Sequence, residues 1–202
     1  MILRLVVWLW AALAISAGAL SLAGHSESLP PDLIMLHLTD CALPCWIGIE
    51  PGTTTRKVAR QHILETFVIQ DGFAVLEDSS TADLNLTTFR LKGPIAPYPE
   101  LELTLEAHNT AIVERIFMRY TGTFTAADLH NALGRPAFVF QRGSFPSLIF
   151  IGKYPERGLR AYLQGGSVLS MAQRVVWVEL YTDDELVPYT DRWHGFVSLR
   201  RR

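Results

Sequence analysis

Cysteine is almost missing from this chain: Cys41 and Cys45 are the only two in 202 residues. A structural zinc site needs further nitrogen or sulfur ligands beyond two thiolates, and no second cysteine pair exists to supply them. The spacing also has one residue too many for the thioredoxin-type Cys-x-x-Cys motif, which argues against a thiol-redox enzyme. Other signatures of chemistry are missing too. There is no Gly-x-Ser-x-Gly elbow, no His-Glu-x-x-His helix, and no Gly-x-Gly-x-x-Gly or Walker loop. Gly165-Gly166-Ser167 comes nearest, but Leu169 stands where a second glycine belongs, so it reads as a turn. The histidines (His25, His37, His62, His108, His130 and His194) are scattered, and none pairs with another at ligand spacing. Glu102 and Glu106 alternate outward on one strand, and Asp183, Asp184 and Glu185 make an acidic turn, so both groups read as solvated carboxylates. Lys plus Arg number 18 against 20 Asp plus Glu, a net charge of −2. That balance offers no clustered cations for nucleic acid. Arg200-Arg201-Arg202 reads as a solvated tail. The expectation is a protein that is not an enzyme and holds no cofactor or metal.

What the chain does have is a long apolar run. Arg4 precedes residues 5–22, which carry no charge, and Ser21-Leu22-Ala23 fits the small-x-small pattern of signal-peptidase cleavage. The run is also long enough to span a bilayer uncleaved. Residues 1–23 are therefore a signal peptide or a membrane anchor, and both readings place the rest outside the cytoplasm. Gly24, not cysteine, directly follows Ala23, which argues against lipidation. Losing the segment removes one arginine and moves the net charge from −2 to −3. Residues 24–40, with Ser26, Ser28, Pro30 and Pro31, read as a tether whose residues 33–38 form a short strand or extended lead-in.

Outside the cytoplasm two nearby thiols oxidise. Cys41 and Cys45 are expected to form a structural disulfide, with Pro44 bending the small loop between them. Trp46 adjoins that loop, and Trp193, His194 and Phe196 lie in the C-terminal segment. Interfaces favour large rings, so these four residues are candidate partner contacts, with packing over the disulfide and core the competing role.

The periodicities point to an α+β fold. Thr55 is placed to cap a helix carrying Ala59, Ile63 and Phe67 on one face, ending before Asp71-Gly72. Thr125, with Asp128 three residues on, caps a second helix carrying Leu129, Ala132 and Leu133, which Gly134 and Pro136 end. Strands are expected at residues 85–91, 101–107 and 112–120, then at 137–141, 148–152, 159–164 and 174–181. His108-Asn109-Thr110, Pro155-Glu156-Arg157-Gly158 and Gly165-Gly166-Ser167 are the turns. Short turns imply antiparallel meanders with the helices on one face.

Helix and strands recur. Gly52-Thr53-Thr54-Thr55 and Gly122-Thr123-Phe124-Thr125 each open a helix, and each half closes on an apolar strand ending in tyrosine, Tyr120 or Tyr181. Pairing Thr55 with Thr125 pairs Ala59 with Leu129 and Ile63 with Leu133, while pairing the tyrosines requires a shorter spacing. The expected architecture is two tandem helix-plus-antiparallel-sheet units, residues 41–120 and 121–182, behind an N-terminal hydrophobic helix. A C-terminal segment, 183–202, follows.

The stretch from Gly122 to Pro136, ending Leu133-Gly134-Arg135-Pro136, resembles the helix motif of the small outer-membrane assembly lipoproteins and of the β-lactamase-inhibitor-like fold. In the inhibitor proteins that fold is a tandem duplication. The first half lacks the Leu-Gly-x-Pro ending. Separately, Cys41-Ala42-Leu43-Pro44-Cys45-Trp46-Ile47-Gly48-Ile49-Glu50-Pro51-Gly52 is similar to the opening of a family of exported bacterial proteins, from which no activity carries over. The first resemblance implies a non-enzymatic module that binds a protein or peptide of the cell envelope through its sheet. The alternative is an extracytoplasmic small-molecule-binding or sensory domain. Nucleic acid is excluded as a partner, and the membrane is one if residues 5–22 remain.

Overall fold

Eight strands form one antiparallel sheet in a computed structural model that describes residues 10, 30–81, 85–95, 99–107, 111–142, 149–164 and 170–182. β1 (Ala74–Thr81), β2 (Leu86–Lys92), β3 (Glu100–Glu106) and β4 (Arg115–Tyr120) make one meander. β5 (Phe138–Arg142), β6 (Ile149–Tyr154), β7 (Leu159–Leu163) and β8 (Val175–Tyr181) make another. The last strand of each meander joins them: β4 pairs antiparallel with β8, giving the order β1-β2-β3-β4-β8-β7-β6-β5. The α+β class expected from the sequence is therefore correct.

Helices cover one face. α1 is Pro31–Met35, α2 is Arg56–Ile63 running on as a π-helix over Leu64–Gln70, and α3 is Ala126–Leu133. Thr55 caps α2 by accepting the Val58 N–H, and Ala59, Ile63 and Phe67 are buried beneath it. Thr125 and Asp128 form a reciprocal capping box at α3, satisfying two orphan donors at once. Gly134 ends α3 at φ +80°, a conformation disfavoured for residues with a Cβ. On the sheet, Leu101, Leu103 and Leu105 turn inward, while Glu102, Thr104 and Glu106 turn outward. Strict alternation thus divides an apolar inner face, packed on the helices, from a polar outer one.

Several expectations need correction. Residues 31–38 are neither tether nor strand: α1 forms instead, because Pro30 and Pro31 suit a helix start and Leu33, Leu36 and Leu38 all enter the core. Asp32 ties it to the end of β4 and to the segment leading into α3, accepting from the Tyr120 hydroxyl (3.0 Å) and the Thr123 N–H (2.8 Å). β1 has no counterpart among the expected strands. Its Glu77-Asp78-Ser79-Ser80 run looks like a loop, and it survives as an edge strand with a register shift between Val75 and Glu77. Finally, Tyr120 and Tyr181 are not equivalent. Thr55 bridges Ile112 and Thr125 bridges Arg174, and in register Tyr120 pairs with Leu101 while Tyr181 pairs with Arg115. Tyr120 accordingly faces inward and Tyr181 outward. The turns at 108–110 and 165–167 fall outside the described residues, while residues 155–157 form a 3-10 turn closed by left-handed Gly158.

Cys41 and Cys45 are bonded, with Cα atoms 5.7 Å apart. Beyond them, Trp46 and Ile49 exchange backbone hydrogen bonds (2.9 and 2.7 Å) around Ile47 and Gly48, both at positive φ. This is the geometry of a two-residue primed turn, and it explains the Trp-Ile-Gly-Ile order. Replacing both cysteines with serine should cost roughly 2 kcal/mol, as expected for so short a loop. Thermal unfolding with and without reductant measures it; a melting point indifferent to reduction would rule out a stabilising bond.

His37 closes the same region. Its Nδ1 lies 2.5 Å from Asp40 Oδ2 and its Nε2 lies 2.8 Å from Asp71 Oδ2, tying the end of α1 to the end of the π-helix. Burial lowers its pKa, but the hydrogen bonds and charges of Asp71 and Asp40 outweigh burial and leave it above 6.5. A raised folded-state pKa stabilises fully below the unfolded value and loses that stability as pH rises through the folded one. The melting-point difference between the parent chain and His37→Asn should therefore be greatest below about pH 6.5 and shrink above it. Asparagine tolerates the local φ of +54°, so backbone strain adds nothing, and the pH dependence of the difference, not its size, reports the charge. A pH-independent difference would contradict the assignment.

Candidate functional site

Along β3, β4 and β8, alternation sends Glu102, Thr104, Phe117, Arg119, Trp177 and Glu179 to the face that the helices leave uncovered. Phe117 lies between Thr104 and Glu179 in register, and Arg119 between Glu102 and Trp177. The Arg119 side chain is 65% exposed and 3.8 Å from Glu102. Toward the β1 edge, Arg90 stands 3.8 Å from Glu77 and 3.6 Å from Glu100, and Arg115 3.9 Å from Glu106. The exposed pairs of Arg90 and Arg119 contribute little to stability, so their charges can exchange partners at low cost.

The other half of the face is rigid. Arg160 donates to both oxygens of Glu179 (3.2 Å each), and Tyr162 donates its hydroxyl to Glu179 Oε2 (2.6 Å). Burial, and then the bond to Glu179, push the Tyr162 hydroxyl up to about 12, so it stays a donor at neutral pH. The Tyr162 ring packs against Trp177, centroids 4.8 Å apart and tilted by 35°. Glu179 thereby fixes Tyr162, which fixes Trp177. The Arg160 guanidinium also lies 4.4 Å above the Tyr181 ring, within cation–π range.

Two shallow hollows adjoin on this surface and share Glu102 and Arg119. One, about 230 Å³, is bordered by Arg90, Glu100 and Thr121; the other, about 140 Å³, by Thr104, Phe117 and Trp177. Both open to solvent; the first is lined mainly by charged and polar side chains, and the second sets Glu102 and Arg119 beside the rings of Phe117 and Trp177. No group of three His, Cys, Asp or Glu side chains able to hold a metal occurs among the described residues.

The sequence candidates fare differently. Trp46 has no exposed surface, donates Nε1–H to Leu36 O (2.7 Å) and packs on Phe67, so it is a core residue and not a partner contact. Trp193, His194 and Phe196 lie outside the described residues. Phe117, Arg119, Tyr162 and Trp177 were missed. Their signal was the outward parity of aromatics on strands otherwise read as apolar. No known family, curated protein or solved structure matches the chain. Among the described residues no helix is long and apolar enough to cross a membrane; residues 5–22 fall outside them except Trp10.

Proposed function

We propose that this chain is a non-enzymatic, exported or membrane-anchored envelope protein that binds another protein or an extended peptide across the outer face of its sheet. The carrying observation is that face: exposed Arg119 beside half-buried Phe117 and Trp177, with the helices all packed on the opposite side. Arginine and tryptophan braced by a rigid scaffold are the residues that dominate binding interfaces. We read the architecture as two tandem helix-plus-sheet units behind an N-terminal hydrophobic helix. Supporting this, Thr54 O accepts from Val113 N–H just as Phe124 O accepts from Val175 N–H. An enclosed apolar site for a small molecule fits less well. The apolar cavity under α3, lined by Leu129, Val139, Tyr154 and Leu163 among others, holds about 20 Å³. That is room for one water, against several hundred Å³ for an ordinary ligand site.

Affinity capture from an envelope extract tests the proposal, using the full chain, Arg119→Glu and Trp177→Ala as baits. A protein retained by the parent should be lost from both variants, by about 30-fold for the tryptophan if it anchors the contact at about 2 kcal/mol. Equal retention by all three, with unchanged circular dichroism, would refute the assignment of the face.

A further inference from the structure

One end of the sheet gathers most of the exposed large aliphatic side chains of the described residues. It is the end where β1 begins, β2 ends, β3 begins and β4 ends, as the pairs Ala74↔Lys92, Lys92↔Glu100 and Leu101↔Tyr120 define it. α1 is fixed there, because Asp32 holds Tyr120 and Thr123 at the close of β4. The π-helix terminates there as well, with Asp71 bonded to His37 and Gly72 lying against Pro94. Five aliphatic side chains stand exposed around these contacts: Ile34 on α1, Ile69 on the π-helix, Val75 and Leu76 at the start of β1, and Ile95 beyond β2. Ile69 is 75% exposed and Ile95 70%. Single exposed aliphatics need no explanation, but a group gathered at one end marks a surface that something covers.

The chain itself points to what covers it. Pro30 opens α1 at this same end, and only seven residues, 23–29, separate it from the apolar run 5–22. Fully extended, they reach at most about 25 Å. A patch this small binds lipid weakly on its own, as a single acyl chain does. Held within that reach, it meets the bilayer at a high effective concentration, and weak affinity suffices.

We propose that this apolar end sits on the lipid surface in which residues 5–22 anchor the chain. The inference rests on the membrane-anchored form of the proposed function. The strands then rise from the bilayer, with Arg119 and Trp177 at the lipid-proximal margin of the outer face and Phe117 and Glu179 farther from it.

The test uses the full chain reconstituted in phosphatidylcholine vesicles. An environment-sensitive fluorophore is attached at Ile69→Cys or Ile95→Cys, with Val58→Cys as control. Val58 lies in the first turn of α2, at the opposite end, where Thr55 bridges Ile112. Because Cys41 and Cys45 are bonded to each other, labelling without reductant is site-specific. Probes at 69 and 95 should shift to the blue and be quenched by nitroxide-labelled lipid, while the probe at 58 does neither. Adding Ile69→Glu should abolish the lipid quenching at 95. Vesicle-bound chain with unquenched probes at 69 and 95 overturns the seating. A blue shift that lipid cannot quench and dilution reverses assigns the patch to a second copy, which overturns it too. Chain that does not travel with vesicles removes the anchor and the seating together.

Discussion

Trp46→Ala should cost about 3–5 kcal/mol, the range for removing a buried large aromatic side chain. Trp46 is fully buried, its ring lies 5.7 Å from that of Phe67, and its Nε1–H satisfies Leu36 O at 2.7 Å. Alanine opens a cavity and leaves that carbonyl without its donor in the interior, so two costs add. Trp46→Phe keeps most of the volume and loses the donor, so it should fall between the parent and alanine. Chemical denaturation reads both. A loss under about 1 kcal/mol for alanine would mean that Trp46 is no core residue.

Glu179→Ala should be nearly as damaging, again about 3–5 kcal/mol, because it removes the carboxylate facing a buried guanidinium. Glu179 and Arg160 are both buried, in adjacent strands, 3.2 Å apart. The replacement also releases the Tyr162 hydroxyl and with it the ring that braces Trp177. Glu179→Gln keeps an acceptor for Tyr162 and should lose less. Replacing Arg160 and Glu179 together with leucine should recover much of the stability, since neither charge is then desolvated. A double variant as unstable as Glu179→Ala would show that the pair's charges are not what the single variant exposes.

The fold was legible where local rules are strong. Thr55, Thr125 and Asp128 cap as expected because side-chain capping is decided within one turn. Strict alternation in residues 101–106 placed β3 and its faces correctly. The misses share a cause: tertiary contacts outweighed local pattern. β1 is polar because an edge strand has one paired side and one exposed face to fill. Residues 31–38 looked like a linker because the partners of Leu33, Leu36 and Leu38 are remote in sequence. Tyr120 and Tyr181 look alike in sequence, yet they close their strands on opposite faces of the sheet, which only the register reveals. The candidate site was harder still. Arg119, Trp177 and Tyr162 lie on three strands, and only the β4–β8 junction brings the two meanders' outer faces into one surface.

Photo-crosslinking in intact cells tests the outer face most directly. A benzophenone amino acid is placed at Arg119, at Trp177 and, as control, at exposed Val58 beside the α2 cap. Positions 119 and 177 should yield the same discrete adduct and position 58 none. An adduct formed from position 58 while 119 and 177 stay unlinked would move the binding surface to the helical side and contradict the proposal.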